Sequence, residues 1–182
     1  MASEAAVFGR LTGWLAPARE ADWDALYAEQ LPRVYNFFRY RVGDGAIAED
    51  LTSATFEKAW RSRHRYRRDL AAFGTWLLVI ARNVATDHYR RRRDHAPIEA
   101  AAEVAGGPGP EELYERSADL ERLGRLLATL PERERELVAL KYGADMTNRA
   151  IARLTGLSES NVGTILHRTV AGLRAGWEEG AR

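Results

Sequence analysis

One stretch of twenty residues constrains the fold of this chain more than any other: Asn148–His167, NRAIARLTGLSESNVGTILH. Two helices that meet at a tight angle need a small residue where they cross, and Ala152 supplies it. Four residues on, the chain has to turn sharply, and Gly156 takes a positive φ there without a Cβ clash. Six residues further, Val162 is placed to point back into the corner. Thr147 and Ser158 stand where caps of the first and second helix belong. Val162, Leu166, Thr169, Leu173 and Trp177 then form the inward stripe of a last helix. That leaves Ser158, Glu159, Ser160, Asn161, Gly163, Thr164, His167 and Arg168 outward, where a recognition helix meets a major groove. An ordinary helical hairpin with a Gly turn makes no demand on Ala152 or Val162, so the three constraints together favour DNA binding.

Helical spacing recurs almost everywhere else, and strand signals are scarce. Val7, Phe8, Leu11, Trp14 and Leu15 form a stripe that Pro17 ends. A second pattern runs from Leu26 to Val42 and stops at Gly43-Asp44-Gly45, with Pro32 expected to kink or restart it. A third carries Ile47, Leu51, Phe56, Ala59 and Trp60, and a fourth Phe73, Trp76, Leu77, Ile80 and Val84. Between them and the helix-turn-helix lies a stretch rich in Ala, Glu, Gly and Pro, including Gly106-Gly107-Pro108-Gly109-Pro110, which reads as a linker. The expected class is all-α: two small helical domains joined by a flexible linker. The boundaries are residues 1–19 for an N-terminal extension, 20–95 for the first domain, 96–115 for the linker and 116–182 for the second domain.

Charge is informative in its distribution. The formal net charge is only +1. Yet ten arginines against two aspartates lie between Arg61 and Arg93, and seven acids against one arginine between Glu99 and Glu121. A basic block beside an acidic one suits a polyanion-binding face followed by a segment that mimics or avoids polyanions. The helix with Asn83, Asp87, His88 and Tyr89 ends in four consecutive arginines, Arg90, Arg91, Arg92 and Arg93, which are expected to contact phosphates without reading sequence. Tyr89, set amid charge, is expected to stack on an unpaired base, whereas Phe73 and Trp76 lie on the apolar stripe and fit a core.

Other classes are excluded by what the residues cannot do. Cysteine is absent, ruling out disulfides and thiolate metal sites and suiting a reducing compartment such as the cytoplasm. His64, His88, His95 and His167 show no metal-ligand spacing within a helix, and no nucleophile motif or phosphate loop occurs. No enzymatic activity, cofactor or metal is expected. No apolar run has membrane-spanning length, so no membrane insertion is expected.

Together these features resemble the extracytoplasmic-function sigma factors, the smallest class of the sigma-70 family, which carry sigma domains two and four only. The run Asp50-Leu51, Thr55-Phe56 and Ala59-Trp60-Arg61 is similar to the family's stretch that docks on the polymerase clamp helices. It implies core-polymerase contacts by Asp50, Leu51, Thr55, Phe56, Lys58 and Trp60. Phe73 and TWLLVIARNVATDHYRRRR at 75–93 are similar to the segment that melts and reads the minus-ten element, with Asn83 at the position whose amide contacts promoter bases. LPERERELVALKYGADMTNRAIARLTGLSESNVGTILHR at 130–168 resembles the domain that reads the minus-thirty-five element. The implied partners are core RNA polymerase (clamp helices and flap), promoter DNA and an anti-sigma factor. The chain departs from the pattern at Ser53-Ala54, where Gln-Glu is frequent, and at Ala150, where Glu is frequent. Gly163, Ile165, Val170 and Ala171 replace basic residues, so domain four is expected to be the weaker DNA binder.

A helix-turn-helix regulator of the LuxR or response-regulator type fits the C-terminal motif nearly as well. Such a protein needs an upstream alternation of strands and helices and acidic strand ends, and residues 20–95 offer neither.

Overall fold

The computed structural model describes residues 22–95 and 111–179, with side chains described for 22–92 and 118–179. The N-terminal stripe and most of the expected linker lie outside them. Seven α-helices carry the described residues: α1 (Trp23–Val42), α2 (Gly45–Arg61), α3 (Phe73–His95), α4 (Glu111–Ala128), α5 (Glu132–Val138), α6 (Asn148–Thr155) and α7 (Glu159–Glu179). No strand occurs among the described residues.

Local chemistry sets most helix ends. The Asp22 carboxylate accepts from the Ala25 N–H and starts α1. Gly43 ends it in the left-handed region at φ 79°, its N–H returning to the Arg39 carbonyl. Asp44 at once caps α2 by accepting from the Ile47 N–H at 2.8 Å. The result is a tight antiparallel hairpin, since Gly43 supplies the one positive φ the turn needs.

Pro32 does not restart α1; the helix runs through it. An interior proline costs about 3 kcal/mol in an isolated helix. Here Gln30, Val34, Phe37 and Phe38 bury on either side of it, and Pro32 itself faces solvent. Packing on both sides outweighs one missing hydrogen bond.

Helix α2 approaches α1 through small residues: Ala48, Thr52, Thr55 and Ala59 are buried with Leu51. The two threonine hydroxyls donate to the carbonyls of Ala48 and Leu51, so no polar group is stranded. Helix α3 closes the first domain with Phe73, Leu77, Leu78, Ala81, Val84 and Ala85. At its start Trp23, Trp60, Tyr66, Phe73 and Trp76 form an aromatic cluster, largely edge-to-face, with centroids 5.2–5.6 Å apart.

In the second domain α4 begins at Glu111, inside the stretch read as linker. Pro131 stands at the N-cap of α5, which passes through a π-helical turn, Ala139–Gly143, into the motif. Leu127, Leu137, Val138, Leu140, Ile151, Val162 and Leu166 bury between α4, α5, α6 and α7.

The two domains also touch. Helix α1 packs on α2 and α3 with one face and on α4, α5 and the π turn with another. Nothing in the sequence indicated this contact.

Candidate nucleic-acid interface

The motif is built as its spacing required. The Thr147 hydroxyl accepts from the Ala150 N–H, Gly156 has φ 76°, and the Ser158 hydroxyl accepts from the Asn161 N–H. Val162, Leu166 and Thr169 are buried, with Leu173 and Trp177 half-buried below them. Glu159, Ser160, Asn161, Thr164, His167 and Arg168 are exposed on the opposite face. Gly163 lies against α6, where a Cβ would sit 3.6 Å from the Asn148 amide nitrogen. Several of these residues are already engaged. Ser158 serves as a cap, Glu159 pairs with Arg149 at 3.3 Å, and Arg168 pairs with Glu134 at 2.9 Å. Ile165, one of the departures from the basic pattern, is half-buried against the core.

On α3 the predicted residues separate into two groups. Asn83, Arg90 and Arg92 are exposed, and Arg90 pairs with Asp87 at 3.0 Å. The Arg93 side chain lies outside those described. Asp87 faces α2, where Lys58 reaches it at 3.4 Å, so this acid joins two helices. His88 is half-buried, with Nε2 unpartnered among the described residues. Burial, then the positive charges of Arg92 and Arg91, holds its imidazole below the usual histidine range. Tyr89 is half-buried; its hydroxyl donates to the Arg41 carbonyl and the Arg41 guanidinium lies 4.9 Å from its ring centre.

The α2 residues also divide. Asp50, Lys58 and Trp60 are exposed, Trp60 by 50% with Arg63 stacked 4.1 Å over its ring. Phe56 is half-buried and meets Tyr27 at 4.5 Å. Leu51 and Thr55 face the core, Thr55 with no exposure at all. The apolar spacing placed Leu51 on the inward stripe, where it lies.

Sequence reasoning also passed over a site-like element between α2 and α3. Arg63, His64, Arg65, Arg67 and Arg68 are all exposed in this connection, and Leu70 protrudes at 75% exposure. Tyr66 anchors it from beneath, donating to the Ala71 carbonyl. Arg67 and Asp69 form a bidentate pair at the surface that lowers the Asp69 pKa, first through the hydrogen bond. The signal was present in the arginine-rich composition, but without spacing to a motif it carried no position.

A family model for sigma-70 region 2 matches residues 26–95, and one for sigma-70 region 4 matches 120–171. The RNA polymerase sigma factor CarQ of Myxococcus xanthus is 34% identical over 153 residues, spanning 84% of this chain and 87% of that protein. The ECF RNA polymerase sigma factor RpoE of Cereibacter sphaeroides is 30% identical over 164 residues, spanning 86% and 89%. The chain belongs to the extracytoplasmic-function sigma factors. The fold agrees: the sigma factor RpoE of Bartonella quintana, solved with the anti-sigma factor NepR, superposes with a TM-score of 0.67 at 22% identity, over 86% of this chain and 97% of that one. CnrH, solved with the cytosolic domain of CnrY, gives 0.59 at 23% identity, over 85% and 84%. The described part of this sigma factor thus comprises domain two (α1 to α3) and domain four (α4 to α7). The LuxR-type alternative is excluded by the match of residues 26–95 to region 2. No described helix is long and apolar enough to cross a membrane, and no described cluster of His and acidic residues is placed to hold a metal ion.

Proposed function

We propose that this sigma factor docks on the clamp helices of core RNA polymerase through Asp50, Lys58 and Trp60. An exposed Trp carrying a stacked Arg is the type of side chain that dominates binding energy at interfaces. Domain two then meets the minus-ten element with Asn83 and the basic side chains of α3 and the Arg63–Arg68 connection. Arginines there supply sequence-independent affinity, and Asn83 supplies an amide able to pair with a base edge. Domain four lays the exposed face of α7 in the major groove of the minus-thirty-five element and contacts the flap. The factor is a binding subunit working in the cytoplasm; bond-making stays with the polymerase. An anti-sigma factor is a further partner, supported by relatives solved in such complexes.

The observation that carries this reading is the exposed, capped second helix of the motif in one chain with a region-2 domain. The test is reconstitution: purified protein with core polymerase, followed by sequencing of the transcripts started on genomic DNA. A shared upstream motif at the new start sites is expected. Replacing Arg90 to Arg93 by Ala should lower the slope of log K against log salt by about 0.9 for each duplex phosphate no longer neutralised. An unchanged slope assigns that run to solvent.

A further inference from the structure

Helix α3 is held by Leu77, Leu78, Ala81, Val84 and Ala85, which bury on one side and fix its rotation. The side turned away from that core carries Val79, Asn83, Thr86 and Arg90, all exposed. Their spacing of four, three and four residues keeps them in one stripe along the helix. Asn83, Thr86 and Arg90 are polar. Val79 is the exception, with 42% of its surface open.

Folding gives no reason for a valine there. Val79 lies outside the packed core, so it gains nothing from burial. A β-branched side chain is also a poorer helix former than the Ala, Lys or Arg that would serve at a solvent-facing position. A single exposed apolar residue on a protein surface is ordinary. Its position is what singles it out, one turn before Asn83, whose amide is the base-reading group of the proposed function. Thr86, on the far side of Asn83, donates its hydroxyl to the Arg82 carbonyl at 2.9 Å and so spends its proton within the helix. Val79 is the neighbour left to distinguish one base from another.

The two side chains read different chemistry. An asparagine amide meets adenine in the major groove by accepting from N6 and donating to N7 at once. A branched apolar side chain has no donor or acceptor to offer, and the base feature it meets on favourable terms is the C5-methyl group of thymine. Four residues of helix rise about 6 Å, against about 3.4 Å between stacked base pairs. A helix laid along the groove therefore sets Val79 one or two base pairs from Asn83.

We propose that Val79 is a specificity-determining residue of domain two. It packs on the methyl group of a thymine one or two base pairs from the adenine read by Asn83, so the minus-ten element of this sigma factor carries an A·T pair at both places. The inference rests on the proposed placement of α3 against the minus-ten element and adds to it a base that the element must contain.

The test uses holoenzyme formed from the full chain and core polymerase. Wild-type holoenzyme first selects from a duplex library randomised across the minus-ten element. Thymines of the selected duplex are then replaced one at a time by deoxyuridine, which removes the methyl group and leaves the pairing unchanged. One such replacement should weaken wild-type binding about fourfold, the worth of one buried methyl group. Val79→Ser should bind the thymine duplex about as weakly as wild type binds the deoxyuridine one, and should not respond to the replacement. Val79→Thr, which keeps one methyl group, should fall between them. Core-polymerase affinity and helical circular dichroism should be the same for all three proteins. A wild type indifferent to every deoxyuridine, or Val79→Ser as sensitive to one as wild type, overturns the thymine contact. So does a Val79→Ser protein that loses core-polymerase affinity and shows no methyl effect, which would assign the residue to the polymerase. A library from which wild-type holoenzyme enriches no sequence overturns the minus-ten assignment itself, and the thymine contact falls with it.

Discussion

Tyr89 of α3 is tied to Arg41 of α1 twice, by a hydrogen bond from its hydroxyl to the Arg41 carbonyl and by the Arg41 guanidinium over its ring. The same guanidinium reaches Glu132 in domain four. A residue that sequence context marks for base stacking is thereby a strut between α1 and α3. Tyr89→Phe should cost about 0.5–1.5 kcal/mol of stability, the usual net value of one hydrogen bond, while promoter melting by the holoenzyme stays near wild type. Chemical denaturation and permanganate footprinting read the two quantities. Loss of melting at unchanged stability would restore the stacking role.

Trp60 and Thr55 lie on one helix and have opposite prospects. Trp60→Ala removes a half-exposed anchor, and core-polymerase affinity should fall by about 1–3 kcal/mol with little change in melting temperature. Thr55→Val keeps the shape but removes a buried hydroxyl whose partner, the Leu51 carbonyl, already serves the helix. It should leave polymerase affinity unaltered. Competition binding on core polymerase decides both, and equal effects of the two changes would refute the assigned face.

These contrasts mark what the sequence could and could not disclose. The motif was legible because its determinants are local: Thr147 and Ser158 cap, Gly156 turns, and Ala152 and Val162 fill one corner. The α1–α2 turn was legible for the same reason, through Gly43 and Asp44. The surroundings of Pro32, Thr55 and Tyr89 were not legible, because distant partners decide each of them. Pro32 is carried by packing on both sides, Thr55 is turned inward by the close approach of α1, and Tyr89 is taken by Arg41. The arginine contacts between the two domains were invisible for a further reason. Arg33, Arg41 and Arg82 engage residues 54 to 112 positions away, and the carbonyls they reach have no side-chain signature.

His88 should make stability depend on pH. Burial and the nearby Arg92 and Arg91 lower its folded-state pKa below that of the unfolded chain. The unfolded state therefore binds the proton more readily. This group's penalty is absent at pH well above about 6.5, the ordinary histidine value. Stability is lost as pH falls from there through the folded pKa. His88→Gln should flatten the urea midpoint between about pH 7 and pH 5 relative to wild type. An equally steep wild-type and variant profile would assign the acid sensitivity to other groups.

Ile165 supplies the sharpest test of how α7 is oriented. It lies between the buried stripe of Val162 and Leu166 and the exposed face with Thr164 and Arg168, half-buried against the core. Ile165→Val should cost about 0.5–1.5 kcal/mol, the removal of one partly buried methylene. Ile165→Arg gives up the apolar packing as well, about 1–3 kcal/mol, but its long stem lets the guanidinium emerge on the DNA-facing side. There it adds one cation to a helix poor in them. Holoenzyme carrying Ile165→Arg should bind promoter duplexes with intact and scrambled minus-thirty-five elements more tightly to a similar degree, because phosphates are common to both. The salt slope should steepen by about 0.9 for the single added phosphate partner. Titrations at several salt concentrations, beside a thermal melt, separate the two effects. A weakening confined to the intact element, with stability unchanged, would mean that Ile165 touches a base and that α7 is rotated from the face assigned to it.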